Sequence, residues 1–198
     1  MLKKEYKIAK EVLDNSGIIA FPTETVMGLG VYFNDYEAYK FLNKVKERPE
    51  DKPYTLMLSS TDEISKYAYV DKRAQKIINR FMPGEITILL KSKGIVPSYV
   101  THNTGVIGIR VPNHKLLLEF LSYLKTPLLV PSANKSGEKP AMTIEEVKEI
   151  FHDDVGFVFN GRALGGVPST LVDLTNKEVK IYREGNIKAS DILSALKE

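Results

Sequence analysis

The residues best suited to chemistry in this sequence stand in short clusters behind apolar runs: Pro22-Thr-Glu-Thr25, Pro131-Ser-Ala-Asn134 and Pro168-Ser-Thr170. Loops that follow strands are where α/β folds hold ligands, and small hydroxyls and amides there can orient a polar molecule without filling its space. Each cluster alone also fits a turn or a helix cap. The stretch Lys44-Val-Lys46-Glu-Arg48-Pro-Glu-Asp-Lys52 gathers cations that suit a triphosphate, interleaved with acids that suit a plain solvated loop. Arg110 lies in the apolar run Gly105-Val-Ile-Gly-Ile-Arg-Val-Pro112, and Arg183 in Ile181-Tyr-Arg-Glu-Gly185. An arginine so placed must either meet an anion, a carboxylate being the natural partner, or turn outward at the strand end.

Other chemistries are excluded. The chain has no cysteine, hence no disulfide framework, no thiolate nucleophile and no sulfur-ligated zinc. There is no GxxxxGK[ST] loop, and Gly28-Leu-Gly30 is too short for a dinucleotide fingerprint, so a nucleotide needs another cradle. His102, His114 and His152 lack metal-ligand spacing and a paired nucleophile, and read as surface or capping residues. The net charge of +3 is spread along the chain rather than gathered in an arm, so any polyanion must be bound locally. The opening residues carry no apolar core or cleavage site, and no apolar run reaches spanning length, which leads to the expectation of a cytoplasmic protein with no membrane partner.

The elements that position these residues follow from periodicity. At 198 residues, with ordinary hydrophobic and charged fractions, a single domain over 1–198 is expected. Leu2, Tyr6, Ala9 and Leu13 predict a helix to Ser16, stopped by Gly17. Gly17 to Phe21 predicts a buried strand ended by Pro22. Asn34 or Asp35 caps a helix to Val45, with Ala38, Phe41, Leu42 and Val45 inward. Strands are predicted at 54–58, 85–91, 106–111, 128–131, 156–159, 170–174 and 179–183. Helices are predicted at 61–67, 71–81, 115–124 with Asn113 as cap, 143–151 with a capping box from Thr143 to Glu146, and 190–196. Strands alternating with helices give an α/β sheet with helices packed on it, mixed in direction near the C-terminus.

Taken in order, Pro22-Thr-Glu-Thr-Val-Met-Gly-Leu-Gly30, Lys46-Glu-Arg-Pro49 with Lys52-Pro53, Pro83-Gly84 with Thr87, Ile109-Arg-Val-Pro112, Pro131-Ser-Ala-Asn-Lys-Ser-Gly137, Ser169-Thr170 and Arg183-Glu-Gly185 resemble the threonylcarbamoyl-AMP synthase (YrdC-like) family. The resemblance covers almost the whole chain, from near 17 to near 187, and is of the short single-domain type. It implies a twisted, largely parallel or mixed sheet with a concave basic cavity, and the conversion of L-threonine, bicarbonate and ATP into threonylcarbamoyl-AMP and pyrophosphate. Carried over by position, Thr25, Arg110, Ser132 and Ser169 hold threonine. Arg48, Lys52, Asn134 and Arg183 hold ATP, and Lys46, Arg48 and Lys52 serve catalysis by supporting the phosphates. Magnesium arrives with ATP rather than on a protein site. The implied downstream partner is the transferase complex that passes the group to tRNA beside the anticodon. A paralogue acting on other carbamoyl adenylates, and a protein that chiefly binds tRNA or other RNA, are the alternatives. Met27 stands where many members have Tyr, and Tyr54-Thr-Leu-Met57 replaces an apolar run that in longer members often ends in His.

Overall fold

The computed structural model describes residues 2–49 and 53–197. In chain order the helices are α1 (Leu2–Asp14), α2 (Tyr36–Lys46), α3 (Ile64–Tyr67), α4 (Lys72–Phe81), α5 (Ser98–Thr101), α6 (Lys115–Leu124), α7 (Ile144–Phe151) and α8 (Ala189–Lys197). The strands are β1 (Ile19–Phe21), β2 (Gly28–Tyr32), β3 (Thr55–Met57), β4 (Ile86–Lys91), β5 (Val106–Arg110), β6 (Leu128–Leu129), β7 (Phe157–Val158), β8 (Thr170–Asp173) and β9 (Lys180–Arg183). All nine strands share one sheet, ordered β7-β1-β2-β6-β3-β5-β4-β8-β9. Parallel pairs (β1 with β7, β3 with β5, β4 with β8) are spread among antiparallel ones across the sheet, so the mixture is not confined to the C-terminal strands.

The period of two along each strand sorts its side chains between two unlike faces. Leu56, Ile86, Ile88, Ile107, Ile109, Leu129 and Val172 point to one face, where a large apolar cluster includes residues of α2, α4, α7 and α8. On the opposite face Ile19, Phe21, Met57, Leu128 and Val130 join Tyr6, Ala9 and Leu13 of α1 and Leu117, Phe120, Leu121 and Leu124 of α6. The helices begin where expected. Asp35 caps α2 by accepting from Ala38 N at 3.0 Å, Asp71 caps α4, and Thr143 caps α7 with Glu146 reaching back to Met142 N.

Several expectations are corrected. α1 does not stop on a left-handed glycine: Ser16 takes the positive φ of 57°, while Gly17 N donates to Val12 O at 2.9 Å and has no room for a side chain, since a Cβ would lie 2.7 Å from Val12 Cγ1. Asn113 does not cap α6. His114 occupies that position without a side-chain bond, and Asn113 N donates to Glu24 Oε1. β2 and α5 have no counterpart in the sequence reading. Glycines argue against a strand on propensity, but at Gly30 a Cβ would approach Phe21 Cε1 to 2.7 Å, so the glycine is what lets the ring lie across β2.

Candidate active site

The face that α1 and α6 cover is only partly apolar. Beside their cluster it carries Thr55, Thr87, Arg110 and Leu171, and here a cavity of about 430 Å³ opens, walled by the 23–28 and 131–137 loops and the end of α2. The sequence-predicted residues Thr25, Lys46, Arg48, Arg110, Ser132, Asn134, Ser169 and Arg183 all line it. Lys52 lies outside the described residues. Among the described residues the lining holds cations and no carboxylate.

At the sheet-borne end, Arg110 and Ser169 are buried, 6% and 4% exposed. Arg110 turns inward, not outward: Nη2 pairs with Glu24 Oε1 at 2.7 Å and donates to Thr25 Oγ1 at 3.1 Å. Thr25 Oγ1 is in turn 2.8 Å from Thr23 Oγ1, whose hydroxyl closes the loop on Val26 O. Ser169 Oγ lies 2.9 Å from Thr87 Oγ1, and Arg183 donates through Nε to Ser169 O at 2.9 Å. Burial, and then the charge of Arg110, hold the Arg183 guanidinium below its ordinary pKa, so the two arginines feel each other across the cavity. Gly165 packs over the 23–25 loop where a Cβ would sit 2.7 Å from Glu24 O.

The other end is built from loops. Lys46, the last residue of α2, is 1% exposed, and Nζ donates to Ser132 O at 2.6 Å and Asn134 O at 2.5 Å. Burial, with Arg48 and Lys135 adding repulsion, pushes its pKa down to about 7. Ser136 N returns a bond to Lys46 O and Lys135 Nζ donates to Val45 O, so α2 and the 131–138 loop are laced together. Asn134 is committed to that loop: Oδ1 accepts from Ser132 Oγ at 2.6 Å, and Nδ2 donates to Lys135 O and Glu138 O. Arg48 stands more open, its Cζ 4.3 Å above the Tyr54 ring centroid and Nη2 on Pro53 O at 2.8 Å.

Residues that the sequence motifs contain, but to which no role was assigned, also belong here. Glu24 pairs with Arg110 from behind the lining, and Thr23, Thr87 and Ser136 contribute hydroxyls. Among the histidines, His102 and His114 do stand at helix ends, but His102 Nε2 and His114 Nδ1 are buried without partners. Among the described residues no group of His, Asp and Glu could hold a metal ion.

Among the described residues the chain is thus a mixed nine-stranded α/β fold with a cavity on one face whose lining includes Lys46, Arg48, Arg110 and Arg183. The Sua5/YciO/YrdC family model, described as "Telomere recombination", matches residues 11–185, and the chain belongs to this family. It is similar to the threonylcarbamoyl-AMP synthase of Pyrococcus abyssi, 30% identical over 194 residues, 97% of this chain and 57% of that one. The chain thus spans little more than half the length of that relative. A structure of Pyrococcus abyssi Sua5 complexed with L-threonine superposes with a TM-score of 0.92 at 29% identity, covering 98% of this chain and 58% of that one. A Methanocaldococcus jannaschii protein provisionally named threonylcarbamoyl-AMP synthase is 33% identical over 93% of this chain and 87% of its own. Uncharacterized YciO of Escherichia coli is 31% identical over 89% of this chain and 87% of that one, and its crystal structure gives a TM-score of 0.89 at 27% identity.

Proposed function

We propose that this protein is an L-threonylcarbamoyladenylate synthase, a nucleotidyltransferase working as a single catalytic domain over 1–198 in the cytoplasm. The observation that carries the reading is the convergence of Thr25, Lys46, Arg48, Arg110, Ser132, Asn134, Ser169 and Arg183 on one cavity of about 430 Å³, of the size that small-molecule sites have. Threonine's amine takes up the carbon of bicarbonate with loss of water, giving a carbamate. A carbamate oxygen then attacks the α-phosphorus of ATP, and the bond to the β-phosphate breaks as pyrophosphate leaves.

No protein nucleophile is needed, because the carbamate is one; the protein aligns the reactants and neutralises charge. Arg110 forks onto the threonine carboxylate while Thr25, Ser132 and Ser169 orient its polar groups. Arg48 and Arg183 face the phosphates, a role that the family resemblance also gives to Lys52, and Lys46 and Asn134 hold the loop that shapes their cradle. Among the described residues the lining offers no carboxylate for a resident metal, which supports magnesium travelling on the phosphate oxygens of ATP. The adenylate is the substrate for the complex that modifies tRNA.

The test is pyrophosphate release from ATP with L-threonine and bicarbonate each present or omitted. Release that needs both is the expected result, and none from folded protein would defeat the reading. Serine lacks one methyl group, so its kcat/KM should fall below that of threonine by about 10- to 100-fold. The similar length of YciO favours a second reading, a paralogue acting on another carbamoyl adenylate. Bicarbonate-dependent release that is indifferent to threonine would select it.

A further inference from the structure

Arg110 and Glu24 form a pair almost closed to solvent, with side-chain exposures of 8% and 9%. The pair is bonded unevenly. Arg110 Nη2 lies 2.7 Å from Glu24 Oε1 and donates to Thr25 Oγ1, whereas Arg110 Nε and Glu24 Oε2 are buried without partners. Glu24 Oε1 also accepts Asn113 N at 2.9 Å, which fixes the carboxylate to the turn just beyond β5. Arg110 and Thr25 line the cavity, whereas Glu24 stands behind them. His114 adjoins this group with Nδ1 unpartnered; burial holds its pKa below the usual range although the charge of Glu24 pulls the other way. A neutral imidazole leaves Glu24 to Arg110.

A guanidinium in a cavity that also contains Arg183 would otherwise be pushed aside by like charge, and a free arginine side chain loses rotamer entropy when a ligand orders it. Glu24 removes both problems before any ligand arrives. We infer that Glu24 is a positioning residue for amino-acid recognition: from outside the cavity it pairs with Arg110 through Nη2 and keeps the guanidinium in the cavity wall, placed to meet the ligand's carboxylate. The inference rests on the assignment of Arg110 to that carboxylate.

The experiment is calorimetric titration of the full chain with L-threonine and, separately, with ATP, for the wild type, Glu24→Gln and Glu24→Asp, alongside steady-state kinetics. Gln keeps the size and one acceptor but loses the charge; Asp keeps the charge on a shorter stem. Glu24→Gln should weaken threonine binding by about tenfold or more while ATP affinity stays within about twofold, and the threonine KM should rise more than kcat falls. Glu24→Asp should recover part of the loss. Wild-type affinity for threonine in folded Glu24→Gln would overturn the inference and leave the site assignment standing. Wild-type protein that binds ATP but no threonine would remove the assignment and this inference with it. If Glu24→Gln does not fold, the Asp variant decides, because equal losses for threonine and ATP there mean a structural role only.

Discussion

The two ends of the cavity neutralise their cations by different means. At the sheet-borne end Arg110 meets a carboxylate, and Thr87 and Ser169 bond side chain to side chain between neighbouring strands. At the loop-built end the Lys46 ammonium meets the backbone carbonyls of Ser132 and Asn134. A locally compensated cation selects by geometry, because its charge is already met and only a well-aligned ligand adds to it. An ammonium met by carbonyl dipoles keeps its net charge and selects by charge, as a polyphosphate requires. The difference sorts the charged groups of the proposed substrates: the amino-acid carboxylate to Arg110 at the rigid end and the phosphates to Lys46 and Arg48 at the other, while Arg183 and Ser132 each serve the substrate centred at the opposite end.

The largest expected effect tests the rigid end. Arg110→Ala leaves Glu24 buried with its charge unmet, and removing one member of a buried pair costs about 3–5 kcal/mol. Urea unfolding should show that loss, while the Arg110→Met, Glu24→Gln double variant should recover part of it. Equal stabilities for Arg110→Ala and wild type would mean that water already reaches Glu24.

Next in size is Arg48→Ala at the open end. Its described contacts, to Pro53 O and over Tyr54, are with its own loop and the strand that follows. The stability measured by urea unfolding should change by about 1 kcal/mol, while pyrophosphate release falls by about 100-fold or more. Near-normal turnover would remove Arg48 from the phosphate site and erase the contrast between the ends.

How far the sequence revealed this arrangement depended on the kind of signal. The serine, threonine and proline clusters and the out-of-place Arg110 were legible because polar residues among apolar runs call for a reason. The role of Glu24 was not, since its cluster also fits a turn, and only tertiary contact shows that Asn113 and Arg110 enclose it. Thr87 entered only through the motif resemblance, because its strand alone gives no polar signal; period-two alternation sends Ile86 and Ile88 to the apolar face and leaves Thr87 facing the cavity. β2 was missed because Gly28 and Gly30 lower strand propensity, and the ring of Phe21 that demands them lies on a neighbouring strand.

The smallest effect concerns Lys46, where the loop-built end stores a cost that the paired end avoids. Its ordinary pKa of 10.5 falls to about 7 on folding, so between those values the unfolded chain keeps a proton that the native one has released. Stability must then rise with pH across that window, the burial penalty being felt in full below about 7 and relieved towards 10.5. The carbonyls of Ser132 and Asn134 favour the ammonium form and oppose burial, so the slope should stay below the limit of about 1.4 kcal/mol per pH unit. Urea midpoints measured from pH 7 to 9.5 should climb in the wild type and flatten in Lys46→Met, which keeps the stem and removes the titrating group. A wild type whose stability is level over that range would mean that the carbonyls hold the ammonium charged. Lys46 would then match Arg110 in being a fully satisfied cation, with backbone dipoles doing what Glu24 does at the other end.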